Sequence, residues 1–456
     1  MRREVEVKWL EKPPDWTENV KNLGKDLFVL LNTQGIASYI GQMNDTYYYW
    51  DELKHKPRPE KLTPEMAWAL VKISRLSQMK YGGLKSIAGP PFGYWLPDSV
   101  LRELHFIDKN ATGQILVDEP KIGEPDKERY VISSLMEEAI ASSLLEGAAT
   151  TRKRAKDMLR EGRKPKTRGE LMIQNNYATM KKIKDGVTEK LSVEFLCELQ
   201  ESMTKGTMED PTACGRIRNP DEPIQIVNMT DGSILHTPPP AEQLKERLKV
   251  LCDFANEESD IAFIHPVIKG IILHFWLAYE HPFVDGNGRT SRAIFYWYLL
   301  KNNYWLIEFL PISRIILKAP SKYKMAFIYS EIDQDDITYF IMFNLRALHL
   351  SINDLRKYVF KKQGELREVG KLVRGMPGLN HRQQEIINHA IHHPDATYTI
   401  ARHSRIHGIV YQTGRADLLQ LVDKNLFLKT RSGRSFQFYP NKRLEGRLKL
   451  SRLRKV

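Results

Sequence analysis

The chain has 456 residues, 42% of them hydrophobic, and a formal net charge of +13, enough for about two to four domains with real cores. Its longest apolar stretch, near Ile271 to Tyr279, is interrupted by His274 and flanked by Lys269 and Glu280, too short and too polar to span a bilayer. Met1-Arg-Arg-Glu-Val-Glu-Val lacks the apolar run of a secretory signal, and Cys197, Cys214 and Cys252 have no CxxC spacing, so a cytoplasmic protein without a membrane partner is expected.

Residues 1–126 read as an N-terminal helical region. Helical patterns run over Asn19 to Asn32 and Thr63 to Tyr81, and a shorter one follows Leu96-Pro97-Asp98, where Asp98 or Ser99 can cap. The aromatic cluster Tyr47-Tyr-Tyr-Trp-Asp51 suits packing between helices better than a binding surface. From Glu128 to Ala149 the chain changes character. Ile132, Leu135, Met136, Ala139, Ile140, Ser143 and Leu144 recur at helical spacing, and Gly147 stands where a helix would end. Glu146 sits at that end, where the helix dipole disfavours a carboxylate unless a cation compensates. Its own helix face, with Leu135, Ala139, Ser142 and Ser143, supplies none.

Thr151 to Arg168 is strongly basic and reads as a solvated helix end with a connector rather than a nucleic-acid site. Leu171 to Ile183 and Leu191 to Met203 are amphipathic helices. Residues 223–238 read as a β-hairpin, because two short apolar runs flank Asp231-Gly232. Ala241 to Asn256 is helical, and His265-Pro266 opens a long buried helix in which His274 faces the core.

That helix ends where His281-Pro-Phe-Val-Asp-Gly-Asn-Gly-Arg-Thr-Ser-Arg292 begins. Phe283 can anchor a turn in the core while His281 and Asp285 face a ligand. Gly286, Asn287 and Gly288 can take the positive φ angles that line up backbone N–H groups as an anion nest. A new helix follows, and a nest at a helix N-terminus is a prepared phosphate site. Arg289 and Arg292, three apart on one face, add donors for outer phosphates. Asp285 can hold Mg²⁺ between phosphate oxygens, and His281 is the natural general base for a hydroxyl.

These twelve residues resemble the signature of the Fic family, His-Pro-Phe-x-Asp/Asn-Gly-Asn-Gly-Arg-x-x-Arg, with every fixed position present. The resemblance implies a helical core over residues 127–365 and transfer of AMP from Mg-ATP to a Ser, Thr or Tyr hydroxyl of a protein. In that scheme His281 is the base and Asp285 the metal ligand. The Gly286 to Gly288 turn with Asn287 meets the α-phosphate, Arg289 the β-phosphate and Arg292 the γ-phosphate, and Tyr323 lies near adenine. Ser142-Ser-Leu-Leu-Glu146-Gly147 resembles the family's inhibitory motif Ser/Thr-x-x-x-Glu-Gly/Asn, on a helix over 128–147. Glu146 is then expected to pair with Arg292 and occupy the γ-phosphate position. Gly215-Arg-Ile-Arg218 resembles a Gly-x-Phe-Arg segment, with Ile217 in the aromatic place. The hairpin at 223–238 matches the position of a flap that receives the extended backbone of a protein substrate. A rival enzyme reading is removal of AMP from a modified protein, with Glu146 orienting a water.

Beyond the motif, Ser313 to Tyr329 and Ile337 to Leu355 are helical patterns. Residues 376–440 resemble a winged helix-turn-helix: a helix from Leu379 to His392, a break at His393-Pro394-Asp395, a helix near Ile400, a Gly408 turn, a helix from Gln412 to Lys424, and a ribbon turning at Ser432-Gly433. From Leu379 to Val456, 15 Lys/Arg stand against 5 Asp/Glu, so +10 of the +13 lies there. Arg415, Lys429, Arg431 and Arg434 suit DNA, whereas Asp417 and Asp423 on the third helix oppose it, which leaves DNA binding and protein docking or homodimer formation both open. A DNA-binding regulator with a vestigial Fic site is the reading from a different class. Residues 441–456 form a basic tail. The expected fold class is mainly α: a Fic helical core with a β-hairpin flap, an N-terminal helical region and a C-terminal winged helix-turn-helix.

Overall fold

The computed structural model describes residues 10–24, 26–87, 91–111, 124–185, 187–228, 231–257, 263–374, 378–392, 396–432, 435–441, 444 and 446–448. These residues are mainly helical, with three two-stranded antiparallel sheets among them. No helix among them is long and apolar enough to cross a membrane. They fall into two compact units, one within Met1–Leu116 and Val131–Ile352, the other within Val117–Tyr130 and Asn353–Val456. The opening Met1 to Val7, His393 to Asp395, Gly433, Arg434 and most of the basic tail lie outside the described residues.

The first unit is built around the helix Pro266–Glu280. His265 caps it, its ring Nδ1 accepting from the Val267 N–H at 3.3 Å, and Pro266 supplies a preset first turn. Its side chains are apolar on every face, so it can only be stable when surrounded. Val267, Ile271, Leu273, Phe275 and Leu277 are accordingly fully buried. The helix Asn287–Lys301 packs beside it with Ile294, Phe295, Trp297 and Leu299 in the same interior.

The N-terminal helices belong to this unit too. Asn19 to Asn32 is two helices, Trp16–Leu23 and Asp26–Asn32, because Gly24 turns the chain at φ 49°. The next helix stops at Leu76, and Lys80 and Tyr81 open the strand Lys80–Lys85, paired with Pro91–Tyr94. Gly82-Gly83 carries too little helix propensity to extend the pattern. Tyr47, Tyr49 and Trp50 are core residues: Tyr49 stacks on Tyr329 with centroids 4.3 Å apart, and the Tyr47 hydroxyl donates to Asp336 at 2.6 Å. Two buried cations fasten the helix Pro64–Leu76. Lys72 meets Asp333 at 2.8 Å, and Arg75 donates to Asn44, the Tyr48 carbonyl and the Tyr339 hydroxyl while lying 3.9 Å over the Tyr47 ring.

The basic connector forms the helix Arg152–Glu161 and spends its charge internally. Arg152 and Lys156 hold Glu137, and Arg154 and Arg163 hold the fully buried Glu170. The expected Ser313 to Tyr329 helix is broken by Pro320 into Ile312–Lys318 and Pro320–Ile332. The helix from Thr338 runs to Arg374, past its expected end at Leu355.

The second unit contains the helices His381–His392, Ile400–His407 and Tyr411–Asp423 and the ribbon Phe427–Ser432 with Ser435–Pro440. Ile387, Ala390, Leu418, Leu421, Phe427 and Phe438 form its core. One placement differs from the sequence reading. Asp417 does not face outward from its helix but is buried, accepting from Asn380 at 2.6 Å and Arg382 at 2.8 Å and meeting His403 at 3.0 Å. A period-3.6 pattern puts it on the same face as Leu418 and Leu421, so it turns inward with them.

Candidate active site

The loop between the two central helices is fixed before any side chain acts. His281 leaves the first helix in the left-handed region, φ 45°, a strained conformation for a residue with a Cβ. Arg218 holds the chain there, donating from Nε to the His281 carbonyl at 3.1 Å and from its backbone N–H to the Pro282 carbonyl at 2.9 Å, while its Nη2 is tied to the Pro239 carbonyl. Phe283 is fully buried, the anchor that the sequence suggested. Asn287 closes the loop from inside, its Oδ1 accepting from the Phe283 N–H at 2.9 Å and its Nδ2 donating to the Phe283 carbonyl at 2.7 Å. Gln200 braces the rim by donating to the Asp285 carbonyl at 2.9 Å while accepting from the Gly215 N–H at 2.7 Å.

Gly286 takes φ 89°, and a Cβ there would come within 2.8 Å of Thr204. At Gly288 a Cβ would lie 2.2 Å from the Glu146 Oε1. The first turn of the helix Asn287–Lys301 is thus bare enough for an anion to touch its backbone, and a carboxylate of this same chain rests there.

That carboxylate is carried by the helix Glu124–Leu145. After Leu145 the chain turns at Gly147, φ 83°, with the Ala148 N–H returned to the Ser143 carbonyl at 3.0 Å. Glu146 Oε1 accepts from Arg292 Nη2 at 2.9 Å. Arg292 also donates from Nε to the Ser142 hydroxyl at 2.9 Å and from Nη2 to the Ser142 carbonyl at 3.0 Å. Burial opposes the Arg292 charge, and Glu146, Tyr323 and Glu138 together outweigh it, so the guanidinium is held above its ordinary pKa. The helix is registered further back by Glu138, buried, which accepts from the Tyr296 hydroxyl and the Ser313 N–H, each at 2.8 Å, and from the Ser313 hydroxyl.

His281 Nδ1 lies 3.1 Å from the Ala278 carbonyl. A carbonyl only accepts, so Nδ1 carries the hydrogen and Nε2 the lone pair. Burial, outweighing that hydrogen bond, holds the imidazole down to about 4. It is neutral at pH 7 and competent as a base. Asp285, 38% exposed, accepts from the Gly286 N–H at 2.6 Å and faces Arg289 Nη2 at 3.3 Å. No group of three or more His, Cys, Asp or Glu side chains that could hold a metal occurs among the described residues. One half-exposed carboxylate fits an Mg²⁺ whose remaining ligands are nucleotide phosphates and water. Arg289 is fully buried, donates to the Met203 carbonyl at 2.9 Å, and leaves its Nε without a partner among the described residues. Tyr323 stands beside Arg292, its hydroxyl 2.8 Å from His274 Nε2. His274 is a core residue, held neutral by burial and by Arg292.

Three positioning groups escaped the sequence reading. Glu280, fully buried, is gripped by Arg247 through Nε at 2.6 Å and Nη2 at 2.8 Å and by the Trp276 indole at 3.0 Å. Gln200 is the second. His236 is the third, at the end of the hairpin Ile226–Val227 with Ile234–His236, which is shorter than the 223–238 segment that contains it. Its Nε2 meets the Tyr279 carbonyl and its Nδ1 the Glu331 carboxylate, each at 2.7 Å. Both partners accept, so the ring carries both protons. Burial opposes that charge, and Glu331, the Tyr279 carbonyl and Glu280 together outweigh it, raising the pKa. Only the spacing of alternate residues in the hairpin hinted that His236 faces inward.

A cradle of this kind can bind a chain of phosphates and take a proton from a hydroxyl placed beside it, the chemistry of phosphate-group transfer on a helical scaffold. Residues 190–299 match the model of the Fic/DOC family, and the chain carries a Fic domain there. The match takes in His281 to Arg292 and Arg218 and leaves Glu146 and Tyr323 outside. The chain is similar to the protein adenylyltransferase fic-1 of Caenorhabditis elegans, 28% identical over 116 residues, 25% of this chain and 20% of that protein. It is similar to the protein adenylyltransferase Fic of Nematostella vectensis, 26% identical over 118 residues, 26% of each. It thus spans about a fifth to a quarter of the length of these relatives. Among solved structures it is similar to a Fic family protein from Desulfovibrio desulfuricans G20, 19% identical, with a TM-score of 0.49 over 75% of this chain and 94% of that one.

Proposed function

We propose that this protein transfers AMP from Mg-ATP to a Ser, Thr or Tyr hydroxyl of a protein, and that Glu146 holds the reaction down. The observation that carries the reading is the neutral His281, whose free Nε2 borders a bare helix N-terminus backed by Arg289 and Arg292. The names of the relatives support AMP as the transferred group.

His281 Nε2 takes the hydroxyl proton as the target oxygen bonds to the α-phosphorus. The bond from that phosphorus to the oxygen bridging the β-phosphate breaks, and pyrophosphate leaves with the electron pair. Backbone N–H groups of the Gly286 to Gly288 turn meet the α-phosphate, Arg289 the β-phosphate and Arg292 the γ-phosphate. Mg²⁺, when bound with the nucleotide on Asp285, offsets phosphate charge. Tyr323 borders the base. The target backbone lies along the short hairpin, whose outward Val227 and Ile234 are 41% and 38% exposed and suit strand addition. While Glu146 sits on Arg292, the γ-phosphate has no cation to meet.

The test is calorimetry with ATP and Mg²⁺, followed by incubation with each nucleoside triphosphate labelled on the α-phosphate. Asp285→Ala and Arg289→Ala should each lose affinity, and ATP alone should label protein. Unchanged binding in both variants, or labelling by another nucleotide only, would overturn the assignment.

A further inference from the structure

We propose that the second unit is a winged-helix module that binds duplex DNA, with Tyr411–Asp423 in the major groove and the ribbon Phe427–Ser432 with Ser435–Pro440 against the phosphates. The element order is three helices and then a ribbon, and Tyr398, between the first two helices, adds a bridge to Phe438 of the ribbon. The core side chains of the third helix, Leu418 and Leu421, fix which face is free. What remains outside at its N-terminal end, where base edges are read in such a module, is Tyr411 and Gln412, with Arg415 one turn on for the phosphates.

Charge decides between DNA and a protein. Arg402, Arg405, Arg415, Lys429 and Arg431 are all exposed, and none forms an ion pair with a described residue. The acid that would have opposed a phosphate backbone, Asp417, is turned inward and neutralised by Arg382. Of the other acids among the described residues of 381–440, Asp423 lies at the far end of the helix, and Glu385 is occupied by His381 and His407. On the ribbon, Lys429 lies 4.9 Å over the exposed Phe436 ring, a cation presented beside an aromatic surface. Such unpaired cations suit a polyanion better than the apolar core of a protein interface, where charge is depleted. The major groove of B-form DNA admits a helix, whereas that of A-form RNA does not, so DNA is the duplex selected.

Five phosphate contacts imply a salt slope of about −4.5, so raising salt from about 50 to about 200 mM should weaken binding on the order of 500-fold. The full-length protein is titrated into a short labelled DNA duplex, and in parallel into the RNA duplex of the same sequence. Arg405→Ala with Arg415→Ala should weaken DNA binding and flatten the salt slope by about two. Lys153→Ala with Arg160→Ala, an equal charge loss on the exposed face of another helix, should leave both unchanged. No DNA binding at low salt overturns the proposal, as does equal loss in the control pair or equal affinity for the RNA. If the Arg405/Arg415 pair alters only the sedimentation of the protein, the face is a protein interface and the proposal also fails.

Discussion

Replacing Glu146 by Gly removes the carboxylate that rests on Arg292 and against Gly288. A charge-assisted hydrogen bond to a buried guanidinium is worth about 2 to 3 kcal/mol net. In the function we propose, that is the free energy ATP must offset to seat its terminal phosphate. Without it, the competent population rises about 30- to 150-fold, since 1.4 kcal/mol is tenfold. Arg292 keeps both contacts to Ser142, so the variant should remain folded. Initial rates of label transfer from ATP labelled on the α-phosphate, at ATP well below saturation, read the effect. Glu146→Gln keeps a neutral acceptor and should stimulate about fivefold less, a difference of about 1 kcal/mol. ADP, which ends before the γ position, should bind wild type and Glu146→Gly alike. A wild-type rate in Glu146→Gly, or an ADP affinity that rises as much as that for ATP, would refute this account.

Three further outcomes are expected. His281→Ala should abolish transfer even in the Glu146→Gly background, and with His281 held at about 4 the acid limb of the Glu146→Gly rate profile should begin below about pH 5; a break near pH 6.5 would show a base with an ordinary pKa. His236→Gln should raise the KM for protein substrate more than that for ATP, because His236 ties the hairpin to Tyr279 and Glu331. A raised folded-state pKa stabilises most below the unfolded value of about 6.5 and is lost as pH rises through the folded value, so the melting-temperature gap between wild type and His236→Gln should narrow at alkaline pH; a constant gap would count against the doubly protonated ring. Lys72→Met leaves Asp333 buried without its cation and should cost about 3 to 5 kcal/mol in urea unfolding; Lys72→Met with Asp333→Asn should recover part of it.

The parts of the site that sequence made legible are those set by local rules. Positive φ at Gly286, a helix start after it and two arginines on one face are all consequences of residues within twelve positions, whereas Asn287 and Gly288, expected to share the positive φ, already lie in the first turn of that helix. Glu146 was readable as a charge in need of a distant partner, because its own helix face supplied none. Arg247, Gln200 and His236 were not readable as positioning groups, since their contacts to Glu280, Asp285 and Tyr279 span 33 to 85 positions and nothing near them in sequence names those partners. Asp417 was misplaced for the complementary reason: an acid on an exposed-looking helix is assigned to solvent unless its partners, Asn380, Arg382 and the buried His403, are known. Helix ends failed where glycine or proline outweighed the apolar period, at Gly24 and Pro320, and at Leu355, where the helix runs on to Arg374.

The Glu146–Arg292 contact, inhibitory in the function we propose, follows from the chemistry of the cradle. A helix N-terminus and two buried guanidiniums form a concentration of positive charge in a poorly solvated place, and such a place is costly to leave without an anion. Glu146 meets that demand at a helix end where its own carboxylate is electrostatically disfavoured, so two unfavourable charges compensate each other across the interior. The contact can still be exchanged, because Glu146 is 31% exposed while Arg292 is 4% exposed. Glu138 fixes the register: eight residues earlier, about 12 Å along the helix, it is clamped by Tyr296 and Ser313 and cannot follow. Displacing Glu146 therefore calls for rotation of one side chain and the turn at Gly147 rather than withdrawal of a helix. A switch of that size is set by the few kilocalories of one ion pair, which places it within reach of the γ-phosphate of ATP.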